Sequence, residues 1–485
     1  MNYKMVCQVV GRVIAIEGVL MLLPLLTALI CGEHVTGFLL TILFAAVVSV
    51  VLQLCFKPKT RVLYAREGFV IVALSWIALS LIGALPFTLE GEIPSYIDAV
   101  FETVSGFTTT GASILTNVES LSNSLLFWRS FTHWIGGMGV LVFLMAVLPM
   151  SEGYSMHIMR AEVPGPVVGK LVPKVRRSSI ILYLIYTGMT VLEVILLMLG
   201  HMPFYDALLH AFATAGTGGF SLRSLSIGYY NSTYIDLVVS IFMILFGINF
   251  NLYFLLLLKR FKSALRNEEM LCYLGIIAFA TITIALNIRQ IYGGFLVAMR
   301  YSFFQVSSIM TTTGFSTANF DQWPEYSRAM LVLLMFIGAC AGSTGGGLKV
   351  SRILILFKAT HAELRRLLKP RSYNAVTLNG AVMDRQTIYS TMVFFFLYIA
   401  ITFLACLLLS LENFDLTTIF TSVIACLSNV GPGLSLVGPM GNYSMFSGAS
   451  KLLLSLCMLL GRLEIYPLLL LLAPSIWTKS RSLHS

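Results

Sequence analysis

Threonine, serine and glycine recur in one order at four places in this chain, and that order suits the holding of a bare cation. The clearest copies are Ser105-Gly106-Phe107-Thr108-Thr109-Thr110-Gly111-Ala112-Ser113 and Ser308-Ile309-Met310-Thr311-Thr312-Thr313-Gly314-Phe315-Ser316. Looser copies are Ala213-Thr214-Ala215-Gly216-Thr217-Gly218-Gly219-Phe220-Ser221 and Ala425-Cys426-Leu427-Ser428-Asn429-Val430-Gly431-Pro432-Gly433. Carbonyls that must all point at one ion require a residue tolerant of φ > 0, and glycine adopts it without a Cβ clash. Hydroxyls before the glycine add acceptors. Rings of this kind replace the hydration shell of a monovalent cation. One isolated Thr-Thr-Gly reads as an ordinary turn, but four copies, each between long apolar runs, read as four walls around one axis.

The composition tells what surrounds those walls. The 485 residues are 57% hydrophobic and 11% charged, against about 25% charged in soluble domains, which makes this an all-α polytopic membrane protein. The run Val13 to Ile30 has no small-residue cleavage site after it and reads as a retained helix. The net charge of +10 is spread between alternate apolar runs, with no basic stripe interleaved with aromatics, so no nucleic-acid partner is expected. The eight cysteines stand singly, without a Cys-x-x-Cys pair, which argues against zinc and against a disulfide framework.

Ten runs approach the roughly 20 residues of a spanning helix: Val13 to Ile30, Phe38 to Phe56, Phe69 to Leu89, Leu125 to Leu148, Ile180 to Leu199, Ile235 to Leu258, Leu271 to Ile288, Ala329 to Phe357, Val393 to Leu409 and Leu452 to Leu472. The segments ending in the four copies are too short to cross and read as re-entrant half-helices, permitted at membrane depth only where backbone lines a cavity. Lys and Arg cluster at Lys57 to Arg66, Arg160 to Arg177, Lys259 to Arg266 and Lys358 to Arg371, and again at Lys479 and Arg481. By the positive-inside rule these loops and both termini are cytoplasmic, and the four copies lie toward the outside. Those basic loops also suit anionic membrane lipid or a docking partner.

Aligned on Gly111, Gly219, Gly314 and Gly431, the copies are 108, 95 and 117 residues apart. The chain therefore divides into a two-helix unit over 1–66 and four helix/half-helix-loop/helix units over 67–177, 178–266, 267–372 and 373–485, in pseudo-fourfold arrangement. Each unit is too incomplete to enclose anything alone. Asp98 and Asp206 coincide at the half-helix starts, suited to the positive dipole end and to N-capping.

With these motifs the chain resembles the Trk/Ktr/HKT superfamily of potassium transporters, most closely its TrkH/TrkG branch, over essentially its whole length. The resemblance rests on Thr108 to Ala112, Gly218 to Ser221, Thr311 to Ser316 and Gly431 to Leu434, and on His133 to Gly139, Gly338 to Lys349 and Gly461 to Ile465. It implies a bacterial inner-membrane protein with a potassium site formed by Thr109, Thr110, Gly111, Thr217, Gly218, Gly219, Thr312, Thr313, Gly314, Asn429, Val430 and Gly431. It also implies a homodimer and a cytosolic nucleotide-binding regulatory ring of the TrkA type. Relatives that conduct sodium can carry serine at the first of these glycines, so four glycines favour potassium. The second copy departs at Gly216 and the fourth at Ser428 and Asn429, making the ring chemically uneven.

Run eight is interrupted by Gly342-Ser343-Thr344-Gly345-Gly346-Gly347, at a helix-propensity cost of roughly 1 kcal/mol per glycine. Gly342, Gly347, Lys349 and Ser351 only approximate a phosphate loop and no soluble βα unit surrounds them. The resemblance instead makes this stretch an intramembrane gate under the filter; close helix packing is the other reading. Arg462 lies in the last run, where an arginine costs on the order of 2.5 to 3.5 kcal/mol at mid-bilayer, so it should face the interior. The resemblance implies that there it lies below the filter and repels a passing cation; a structural pair with Glu464 is the other reading. His133 and Arg129 read as satisfied interior groups, and Glu17 has no assigned role.

No catalytic constellation or phosphorylation motif is present, so the chain is not expected to be an enzyme. Potassium uptake by permeation is the leading reading. A proton- or sodium-coupled symporter on the same fold and the ion-conducting subunit of an ATP-driven pump are the alternatives.

Overall fold

The computed structural model describes residues 1–58, 64–139, 175–369 and 375–474. The basic loop around Arg160, the C-terminal residues Lys479 to Ser485 and the end of run four lie outside these. Within them the chain is helical apart from one hairpin, Thr377–Leu378 paired antiparallel with Ala381–Val382. Its turn residues Asn379 and Gly380 both have positive φ, as a two-residue hairpin of matching twist requires.

Among the described residues six helices are long and apolar enough to cross a membrane, with a seventh if a bent pair is counted as one span. Their outward faces are apolar: on Thr36–Cys55 the exposed side chains include Leu39, Leu43, Phe44 and Val47. Many of the polar groups point inward, as a lipid surround demands. The shortfall from ten runs has a specific cause. The helix following each loop stops early: Asn123–Gly137 has 15 residues, Thr233–Phe246 has 14, Glu325–Ile337 has 13 and Gly448–Arg462 has 15. At 1.5 Å per residue none exceeds about 23 Å, short of a hydrocarbon core of about 30 Å.

The breaks correct the expectation that run eight alone is interrupted. Run six bends by 91° between Thr233–Phe246 and Phe250–Leu257. Run eight is open from Gly338 to Lys349, wider than Gly342 to Gly347, before Val350–Leu368 begins. Run ten breaks at Leu463 to Ile465, with Glu464 and Ile465 at φ of 54° and 66°, and resumes as Tyr466–Leu472. Pro467 enforces that break, since in a continuous helix its ring would clash with the Leu463 carbonyl.

The four half-helices are Tyr96–Phe107, Phe204–Gly216, Phe295–Met310 and Leu416–Leu427. Ser95 and Asp415 cap the first and last through their side chains, and the Thr418 hydroxyl holds the exposed Asp415 carboxyl below the usual carboxylate range. Asp98 and Asp206 are first-turn residues, not N-caps, and each is paired elsewhere: Asp98 with Lys451 at 2.6 Å and Asp206 with the Tyr230 hydroxyl at 2.6 Å and Arg223 at 3.4 Å. Asp98–Lys451 joins the first half-helix to the last unit, and Asp236–Arg300 at 2.7 Å joins the second to the third.

Candidate functional site

Each half-helix ends in the same hydrogen-bonded turn. The amides of Thr110, Gly218, Thr313 and Val430 donate to the carbonyls of Ser105, Ala213, Ser308 and Ala425 at 2.8–2.9 Å, and the amide one residue earlier donates three residues back. This is the Schellman pattern, whose turning residue is left-handed and usually glycine. Here it is Thr109, Thr217, Thr312 and Asn429, at φ of 54° to 60°. A side chain in that region costs about 1–2 kcal/mol. The sequence pattern points to the glycines but not to this second left-handed position, because threonine carries no signal for it.

Two residues further on, Gly111, Gly219, Gly314 and Gly431 have φ of 79°, 79°, 84° and 96°. A Cβ on Gly111 would fall 2.1 Å from the Gly218 carbonyl oxygen, and one on Gly219 2.0 Å from that of Thr313. On Gly314 it would fall 2.2 Å from the Val430 oxygen, and on Gly431 2.6 Å from that of Thr110. The contacts close on themselves, each glycine meeting the residue that precedes the next glycine. Eight of the twelve sequence-predicted loop residues, the four glycines with Thr110, Gly218, Thr313 and Val430, thus meet in one ring, and Thr109, Thr217, Thr312 and Asn429 are the left-handed turn residues just before it. The C-terminal ends of four half-helices converge on it, and helix C-termini carry partial negative charge.

The unevenness of the ring has a physical cause in His133. Its Nδ1 donates to the Gly106 carbonyl at 2.7 Å, its Nε2 accepts from the Phe220 amide at 3.2 Å, and its ring packs on Phe220. A carbonyl can only accept and an amide can only donate, so the imidazole is neutral with the proton on Nδ1. It lies behind the second loop, where a Cβ on Gly218 would be 2.3 Å from its Cγ and one on Gly216 would be 2.2 Å from its carbonyl oxygen. Where loop two has Gly216 and Gly218, loops one and three have threonine pairs, Thr108–Thr110 and Thr311–Thr313, whose hydroxyls meet at 2.8 and 2.7 Å. In loop four Ser428 meets the Tyr398 hydroxyl at 2.6 Å, and Asn429 Nδ2 donates to Thr110 Oγ1 at 2.9 Å and to the Met458 carbonyl.

On one side the ring opens into a cavity of about 150 Å³ lined by the four glycines, by serines and by Arg129 and Arg223. Arg129 is bound to buried Glu102 at 2.6 Å, and the same carboxylate accepts from Ser113 Oγ and the Ile114 amide. That triad fixes the chain leaving the first loop, in agreement with an interior, satisfied Arg129.

On the other side lies the glycine-rich stretch. The Gly346 amide donates to Thr312 Oγ1 at 2.6 Å, while Cβ atoms on Gly345 and Gly346 would be 2.9 Å from the Thr311 oxygen and 2.3 Å from the Ser428 oxygen. Ser343 is bound to the Cys340 carbonyl and Thr344 to that of Phe246. The stretch is buried against the third and fourth loops at their half-helix ends. Gly342 and Gly347 supply its left-handed turns, at φ of 69° and 75°.

Arg462 reaches this stretch. It donates to the Thr344 carbonyl and to that of Gly137 at 2.7 Å each, and also to that of Gly136. Glu464 is not its partner but that of Arg352, at 2.6 Å, with the Arg352 guanidinium over the Phe394 ring. Carbonyl dipoles surround the Arg462 charge, so it ties the stretch to the first unit as well as placing a cation there. A buried lysine, Lys349, also reaches the stretch and donates from Nζ to the Gly345 carbonyl. Its position after the glycines is its only signal in the sequence.

The architecture has known counterparts. The family model for TrkH, a cation transport protein, matches residues 34–297 and 295–479. The Trk system potassium uptake protein TrkH of Salmonella typhimurium is 36% identical over 98% of this chain and 100% of its own length. TrkG of Escherichia coli K12 is 33% identical over 98% and 99%. The crystal structure of the potassium transporter TrkH from Vibrio parahaemolyticus superposes with a TM-score of 0.87 at 32% identity, covering 99% of this chain and 100% of that one. This chain belongs to the TrkH family of cation transport proteins.

Proposed function

We propose that this chain is a potassium uptake protein of the cytoplasmic membrane, in which the four-loop ring is the selectivity filter. The observation that carries the reading is the closed cycle of glycine-to-carbonyl contacts among Gly111, Gly219, Gly314 and Gly431. A ring too tight for one methyl group has a fixed diameter, and fixed carbonyls at half-helix C-termini favour a bare cation. The ion is the substrate; Thr109 to Gly111 and their equivalents would exchange its water for carbonyl oxygens. An inside-negative potential supplies roughly 2.3 kcal/mol per charge per 100 mV, about fiftyfold accumulation, without ATP hydrolysis in this chain.

In this reading Gly342 to Gly347 is the gate and Arg462 its lock. The stretch lies against the ring where an ion leaving the filter would pass, and Arg462 holds it there while presenting a positive charge. The unit boundaries 1–66, 67–177, 178–266, 267–372 and 373–485 follow the same fourfold logic. Both termini are placed inside the cell, the protein acts as a homodimer, and a cytosolic nucleotide-binding ring of the TrkA type releases the gate. The test is potassium-limited growth and ⁸⁶Rb⁺ uptake by cells lacking their own potassium transporters. Uptake that needs this chain and is reduced by excess potassium but not by sodium supports the reading; no chain-dependent uptake in correctly inserted protein rejects it.

A further inference from the structure

Glu269 stands in the first turn of Glu268–Ile288, more than 70 residues before the glycine-rich stretch, yet its side chain is 5% exposed and aimed into it. One oxygen, Oε1, accepts from the Ala341 amide at 2.6 Å and from the Ser351 amide at 3.1 Å. Those amides bracket Gly342 to Gly347, one just before it and the other in the first turn of Val350–Leu368. A single carboxylate oxygen therefore gathers both ends of the stretch. Charge-assisted bonds to backbone amides are about twice as strong as neutral ones, and a buried amide left without an acceptor is destabilising.

Backbone bonds also hold the ends: the Cys340 amide donates to the Gly247 carbonyl, the Phe250 amide to that of Gly342, and the amides of Leu348, Lys349 and Val350 to those of Phe336, Ile337 and Ala339. Among the described residues, however, Glu269 is the one side chain that binds both ends at once, while other side chains act at the tip. Gly346 is held by Thr312, Thr344 by Arg462, and Gly345 by Lys349. The neighbouring residue Glu268 binds Lys358 on Val350–Leu368, so two successive carboxylates join one helix to the stretch and to the helix leaving it.

We propose that Glu269 is the positioning residue of the gate: it latches both ends of the glycine-rich stretch, and losing it lets the stretch leave the ring. This rests on the gate reading above, but it can be tested without ion flux. Hydrogen exchange of the full-length protein in detergent or nanodiscs, read by mass spectrometry, reports the amides of Gly342 to Val350. The Thr110, Gly218, Thr313 and Val430 amides serve as the internal reference. In Glu269→Ala the stretch should exchange at least tenfold faster while the reference amides are unchanged. Glu269→Gln keeps an acceptor oxygen and should stay within about threefold of the wild type. Potassium flux without any partner should rise in Glu269→Ala and not in Glu269→Gln.

Unchanged exchange across Gly342 to Val350 in Glu269→Ala overturns the latch, as does equal acceleration of stretch and reference amides, which would make Glu269 a packing residue of the whole unit. Selective release with no potassium flux in any form keeps the latch and counts against the uptake reading.

Discussion

A methyl group separates function from strain at the ring. Serine at position 111 would place its Cβ 2.1 Å from the Gly218 oxygen while occupying a φ of 79°, so the loop must open on one of four sides. Gly111→Ser should lower the preference for potassium over sodium several-fold in competitive uptake, and the same direction is expected at Gly219, Gly314 and Gly431. Unchanged preference at all four would remove the filter assignment. His133 and Gly218 make a second residue-scale test. His133→Ala leaves the Gly106 carbonyl and the Phe220 amide without their partner and opens a cavity, a loss on the order of 3 kcal/mol. Gly218→Ala collides with the imidazole. The double variant relieves that collision, so thermal unfolding of the purified protein should be non-additive by at least about 1 kcal/mol. Strict additivity would mean that the histidine does not shape the second loop.

At the scale of elements, what distinguishes the units is how the helix after each loop breaks. The third break carries a buried glycine-rich stretch latched at its ends by Glu269 and at its tip by Arg462. Two different changes should therefore open one path. Deleting several residues of Gly342 to Gly347 would remove the proposed obstruction, and Arg462→Ala removes a charge together with bonds to Thr344, Gly136 and Gly137. Both should raise partner-free potassium flux several-fold, with selectivity largely retained because the ring glycines are untouched. If neither exceeds the wild type in properly inserted protein, the stretch is a packing element. The sequence exposes this break through its run of glycines. It marks the breaks in runs six and ten more weakly, through single residues set among apolar ones: Gly247 and Asn249 in the first, Gly461 and Pro467 around the second.

For the whole molecule, the testable quantity is orientation. Positive-inside reasoning puts Val350–Leu368 and its hairpin in the cytoplasm and the cavity above the ring outside. Ser178 is fully buried, so it is a poor labelling site. Exposed Asn117 near the cavity and exposed Glu363 on the opposite side serve better. With native cysteines removed, Asn117→Cys in intact cells should react with an impermeant maleimide, and Glu363→Cys should react only after permeabilisation. The reverse pattern inverts the protein and with it the direction of the proposed gate. The ion pair between Asp98 and Lys451 ties the first half-helix to the helix after the fourth loop, so these two parts of the chain are held together away from the ring as well as at it.

Amino-acid order alone determined the membrane class, the four copies with their glycines and an interruption of run eight at Gly342 to Gly347, because apolar runs and backbone-permissive residues act within a few positions of themselves. The cyclic order of the loops, the seating of His133 behind Gly216 and Gly218, and the partner of Arg462 were decided by tertiary structure. Glu464 sits two residues from Arg462, yet its ion pair is with Arg352, 112 residues away, and Arg462 finds Gly136 at a separation of 326. Two residues two apart on a helix do not face each other. A buried polar group takes whichever partner folding brings within hydrogen-bonding distance, because leaving it unmatched inside a low-dielectric interior costs more than any local preference can supply.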